Sequence, residues 1–116
     1  MTEIQRFHEG PKLSRAVVHG GIVYLCGQVA DDFEADLQEQ TRQMLAKVDK
    51  HLQEAGSDRS KMLTATVYIN DISKVAAMNE VWGEWLGDGP RPARTCVQAT
   101  LARPNMMVEI TVIAAV

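Results

Sequence analysis

Two residues of opposite charge stand among apolar and β-branched neighbours near the C-terminal end of the chain: Arg94 in Arg94-Thr95-Cys96-Val97-Gln98-Ala99, and Glu109 in Met107-Val108-Glu109-Ile110-Thr111. A charge inside a strand carries a desolvation cost unless it is paired or serves a ligand. The planar fork of arginine binds a carboxylate through two parallel hydrogen bonds, which lysine does not reproduce, and a lone glutamate beside it would orient or deprotonate water. An Arg94–Glu109 ion pair at a subunit interface would account for the same two residues, and at this point both explanations stand.

Other reactive side chains carry weaker signals. Cys26 and Cys96 lie far apart in apolar stretches with no histidine close in sequence and no helix start to lower their pKa, so both are expected to be structural thiols. There is no Cys-x-x-Cys, and His8, His19 and His51 show no ligand spacing. Neither a disulfide framework nor a structural zinc site is expected, and no histidine is assigned to catalysis. Gly20-Gly21 precedes a strand and not a helix, which makes it a turn rather than a phosphate loop. Met78, Trp82 and Trp85 recur at helical intervals and are expected in the core.

The elements that must hold Arg94 and Glu109 follow from periodicity. Ile4 to Phe7 predicts a short edge strand ended by Gly10-Pro11. Arg15 to His19 and Ile22 to Gly27, flanking Gly20-Gly21, predict a hairpin, because paired glycines accept the positive φ of a tight primed turn. Leu37, Thr41, Met44, Val48 and Leu52 predict an amphipathic helix from Asp36 to Ala55, stopped at Gly56. Met62 to Ile69 is a strand, and the face Val75, Met78, Val81, Trp82, Trp85 is a second helix closed by Gly87-Asp88-Gly89-Pro90-Arg91-Pro92. Strands at Arg94 to Leu101 and Met107 to Ala115 complete the order. Arg103-Pro104-Asn105 between them is short enough for antiparallel pairing. Alternation on the first of these strands puts Arg94, Cys96 and Gln98 on one side, expected to point away from the helix-covered core.

One domain spanning residues 1–116 results, a single sheet with both helices on one face. The other face has no element left to cover it, so it is either polar or packed against other subunits. With 116 residues, 46% hydrophobic and 23% charged, there is room for one core and no second domain. A net charge of -3 offers no basic field for a phosphate backbone, so nucleic acid is not an expected partner. No apolar run approaches a membrane span and Met1 to Arg6 lacks the layout of a signal peptide, so the expected location is cytoplasmic.

Taken together, Gly20 to Gln28 (GGIVYLCGQ), the Ala55-Gly56-Ser57 helix end, Asn79, Pro92-Ala93-Arg94-Thr95-Cys96-Val97 and Val108-Glu109-Ile110 resemble the RidA (YjgF, reactive intermediate deaminase) family along nearly the whole chain. The resemblance implies a chorismate-mutase-like α+β fold, a mixed sheet with two helices on one face, in a homotrimer with a central barrel and clefts between subunits. It implies hydrolysis of 2-imino acids and their enamine tautomers, such as 2-aminoacrylate, to 2-keto acids and ammonia, without metal or organic cofactor. By the same resemblance Arg94 holds the substrate carboxylate and Glu109 attends the hydrolytic water. Cys96 lines the cleft through its backbone, Asn79 lies near the site, and Cys26 and Ser14 fall among the substrate-binding positions. Cys26 replaces a serine frequent in imine-hydrolysing members. Lys12-Leu13-Ser14-Arg15 has no counterpart of the tyrosine that many members bring to the cleft, and Arg91 replaces an aromatic or apolar residue. The same cleft in a trimer that binds a keto acid without turnover is the alternative. Ribonuclease or translation-inhibiting activity, attributed to some relatives, is disfavoured by the acidic charge and the lack of a histidine pair.

Overall fold

A computed structural model describes residues 3–116. Alternation is complete in the last strand, β6 (Val108–Ala115), where Val108, Ile110, Val112 and Ala114 are buried and the residues between them are half-buried. That strand lies inside a six-stranded sheet ordered β1-β2-β3-β6-β4-β5, with β1 Gln5–Phe7, β2 Ala16–His19, β3 Ile22–Leu25, β4 Met62–Ile69 and β5 Ala93–Gln98. Two helices, α1 (Leu37–Glu54) and α2 (Val75–Leu86), pack on one face.

The local signals explain the elements. Gly20 and Gly21 have φ of 60° and 79° and join His19 to Ile22, which pair directly. Helix α1 opens with the Asp36 carboxylate accepting from the Glu39 amide at 2.9 Å. It ends with Gly56 at φ 85° while the Gly56 and Ser57 amides donate to the Gln53 and Leu52 carbonyls, a Schellman closure. Its inward face, Met44, Leu45, Val48 and Leu52, meets Met78 and Val81 of α2 and the apolar row of β6 in one core cluster. Removing that apolar surface from water is the main stabilising contribution.

Two expectations are corrected. The last two strands do not pair: β5 lies at the sheet edge, parallel to β4, and β6 runs between β3 and β4. The reason is the crossover. A strand–helix–strand unit brings its second strand back in the same direction, so β4–α2–β5 forms a parallel pair and leaves β6, with no exposed residue, for the middle. Arg94, Cys96 and Gln98 also point the other way from the expectation. Their partners in register are Ala65, Val67 and Ile69, all buried on the helix side, so these three share the helix-covered face.

Gln40, fully buried on α1, ties the entry of β6 to the helix. Its Nε2 donates to the carbonyls of Phe33, Ala35 and Asn105 at 3.0–3.3 Å, and its Oε1 accepts from the Met107 amide at 3.0 Å. On the face away from the helices, Tyr24, Thr66, Tyr68, Val97, Glu109, Thr111 and Ile113 are half-buried or exposed.

Candidate functional site

Arg94 sits on the edge strand, its side chain leaning toward α2. Nη1 donates to Asn79 Oδ1 at 2.8 Å, and the guanidinium carbon lies 5.2 Å from the centre of the buried Trp82 ring. Cation–π stacking and an amide bond hold the fork without consuming its charge. Among the described residues no carboxylate pairs with it. Asn79 and Arg94, singled out separately, are therefore brought together. Cys96 is half-buried two residues on, packed against the core from the same side. The outer edge of β5 has no neighbour in the sheet, so backbone donors and acceptors around Cys96 stay open to a ligand or to another chain.

Glu109 belongs to a second group on the opposite face. It pairs in register with Tyr68 of β4 and lies against Gly27, where an added Cβ would collide with its Oε2. Gly27 is held there because the flanking Gln28 exchanges both backbone hydrogen bonds with Ile110, at 2.8 and 3.0 Å. The buried Gln28 side chain donates to the Cys26 carbonyl at 3.1 Å and approaches Cys26 Sγ at 3.4 Å. Ser14 is half-buried just before Arg15, whose carbonyl accepts from the Cys26 amide at 3.0 Å.

Arg94 and Glu109 are not on neighbouring strands, as the sequence suggested. β4 runs between them, they face opposite sides of the sheet, and Arg94 is level with Val112 rather than Glu109. With strands about 4.8 Å apart and about 3.3 Å per residue, their backbones are about 14 Å apart. No ion pair forms between them within one chain. The predicted residues thus fall into two half-sites, Arg94, Asn79 and Cys96 at the edge, and Glu109 and Cys26 at the end of β3, while Ser14 lies in the loop before β2.

Arg91 works within the fold. Its Nη1 donates to the carbonyls of Gly87 and Gly89 at 2.7 and 2.6 Å, fastening the loop that delivers β5. A histidine pair absent from the sequence spacing appears in space. His8 Nε2 and His51 Nδ1 each lie 3.0 Å from the same oxygen of Glu54. The i, i+3 spacing of His51 and Glu54 on one helix was visible; His8 comes from the loop after β1, and nothing local announced it. Glu54 is held below the usual glutamate range, chiefly by the hydrogen bond from His51 and then by that from His8.

Comparison with known proteins places this fold in a family. The Endoribonuclease L-PSP family model matches residues 4–116. A RutC family protein from Haemophilus ducreyi is 37% identical over 113 residues, covering 97% of each chain. The RutC family protein YoaB from Escherichia coli is 39% identical, covering 97% of this chain and 98% of that one. The crystal structure of NMB1025, a YjgF family member from Neisseria meningitidis, superposes with a TM-score of 0.94 at 41% identity, over 98% of this chain and 95% of that one. The chain belongs to the YjgF/Rid family, also described as Endoribonuclease L-PSP.

Proposed function

We propose that the protein hydrolyses reactive 2-imino acids and their enamine tautomers to 2-keto acids and ammonia, in clefts between the chains of a homotrimer. The observation that carries this is Arg94, a guanidinium oriented by Asn79 and Trp82 with no acidic partner among the described residues. A fork presented this way suits a small carboxylate. The separation of the two half-sites supports the assembly. In one chain Glu109 and Arg94 face apart, so a working site needs the β5 edge of one subunit beside the Glu109 face of another. That docking would also cover the open sheet face.

The chemistry asks little of the protein. A protonated imine carbon is already electrophilic, so positioning and one proton acceptor suffice. Arg94 binds the substrate carboxylate, and backbone groups near Cys96 contact the nitrogen end. Glu109 takes a proton as water adds to the imine carbon. The resulting carbinolamine breaks its C–N bond, ammonia leaves with the proton, and the carbonyl forms. An enamine first gains a proton at its β-carbon to become the imine. No step calls on a metal or organic cofactor. A cytoplasmic setting suits this reading, since free thiols such as Cys26 and Cys96 persist there. No helix among the described residues is long and apolar enough to cross a membrane.

Keto-acid formation from imines generated in situ by an amino-acid oxidase tests this. Wild type is expected to accelerate it for several side chains and Arg94→Ala to lose the acceleration. Equal rates for the two proteins would overturn the assignment. One observation favours binding without turnover: Cys26 offers only a weak thiol donor, and that thiol already faces the Gly27 carbonyl at 3.6 Å. Keto-acid binding measured calorimetrically, with no ammonia released from any imine, would select it. The ribonuclease named in the family description fits less well with a net charge of -3. RNA binding that falls steeply with salt would favour it.

A further inference from the structure

We infer that His8, His51 and Glu54 form a binding site for a divalent transition-metal ion of the zinc class, on the side of α1 that faces the loop between β1 and β2. The three offer one ligand atom each, all within 4.8 Å of one another. In a tetrahedral zinc site with bonds of about 2.0–2.1 Å, adjacent ligand atoms lie about 3.3 Å apart. His8 Nε2 and His51 Nδ1 are each 3.0 Å from Glu54 Oε1, so two edges of that tetrahedron need only a small expansion. Two imidazoles and a carboxylate suit zinc, cobalt or nickel better than calcium or magnesium, which prefer all-oxygen shells. Three protein ligands leave the fourth position open to water.

The donors are held for this geometry. His51 is nearly buried at the end of α1, one turn from Glu54, so the helix fixes their spacing. His8 has φ 52°, the one non-glycine residue with positive φ among those described, and that conformation turns its ring onto α1 at 5.9 Å from the His51 ring. In the metal-free protein both rings donate to the carboxylate. On metal binding each moves its proton to the other ring nitrogen and presents a lone pair, so no new atom has to be brought in. The hollow beside the cluster, about 330 Å³, is also lined by Arg15, Lys47, Lys50 and Asp31. Lys47 is already paired with Asp31 at 2.7 Å, and exposed ammonium groups are screened by solvent. A bound ion would staple the loop carrying Ser14 to α1. The site does not depend on the proposed imine chemistry.

Full-length protein freed of metal with a chelator is titrated with Zn2+ against a chromogenic competitor, and with Co2+ to read coordination from its visible absorption. The expected result is one ion per chain at micromolar or tighter affinity, with cobalt bands of tetrahedral intensity. Affinity is expected to fall by at least about tenfold in His8→Asn, which tolerates the positive φ, and in Glu54→Gln, and to be unchanged in His19→Gln and Arg94→Ala. No zinc bound at micromolar concentration by the wild type, or the same affinity in His8→Asn and Glu54→Gln, would overturn the site.

Discussion

At the residue scale, the proposed chemistry rests on two charges kept from each other. Arg94 stacks on Trp82 and bonds to Asn79, so its fork is aimed before any ligand arrives. Glu109 is placed by the absence of a side chain at Gly27. That glycine does not have a positive φ, so its backbone would accept a methyl group and only the contact with Glu109 is at stake. Gly27→Ala is therefore expected to fold and assemble while its kcat for imine hydrolysis falls about 100-fold, the lower range for losing a positioned proton acceptor. Thermal unfolding and turnover on the same sample check this; unchanged turnover would detach Glu109 from the reaction. Arg94 and Glu109 stand out in the sequence because a charge in an apolar strand is a local signal, whereas Asn79 is singled out only through the family resemblance. Their partition into two half-sites was not legible, since the side on which Arg94 falls depends on the strand that pairs with β5.

At the element scale, short polar devices deliver the strands. Gln40 satisfies four backbone groups between α1 and the entry to β6, so Gln40→Leu leaves them without partners inside the protein. The expected loss is about 2–4 kcal/mol in urea denaturation, set by the desolvation of unpaired buried groups. The 3₁₀ turns Arg59–Lys61 and Ile72–Lys74, one before β4 and one before α2, are capped by Asp58 and Asp71. Hydrogen bonds from the Ser60 and Ser73 side chains, and then from their amides, hold both carboxyls below the ordinary aspartate value of 3.8. With folded values below unfolded ones, their stabilisation is complete above about pH 4 and is lost as pH falls through the folded values. Unfolding midpoints followed below about pH 4 should drop less steeply in Asp58→Asn and Asp71→Asn than in wild type. Sequence periodicity located both helices and all six strands, since each carries its own pattern. The pairing of β5 with β4 was missed because a short connection suggested a hairpin, whereas burial of the β6 row between two sheet neighbours decides the order. Gln40 gave no signal, as a polar residue on an amphipathic helix looks solvated until the loops that fold over it are known.

At the scale of the whole molecule, a sheet face bearing Tyr24, Val97 and Ile113 lies open in one chain, and the half-site holding Glu109 lies on it. The proposed trimer closes that face and the catalytic cleft by the same contact, so assembly and activity stand or fall together. Subunit complementation tests this most directly. Arg94→Ala and Glu109→Gln homotrimers, each inactive, are unfolded, mixed in equal amounts and refolded, and their mixed trimers are confirmed by native mass. Clefts that draw Glu109 from one chain and Arg94 from its neighbour should recover about a quarter of wild-type imine hydrolysis, the chance that one cleft receives both intact halves. Mixed trimers as inactive as their parents would contradict a site shared between chains.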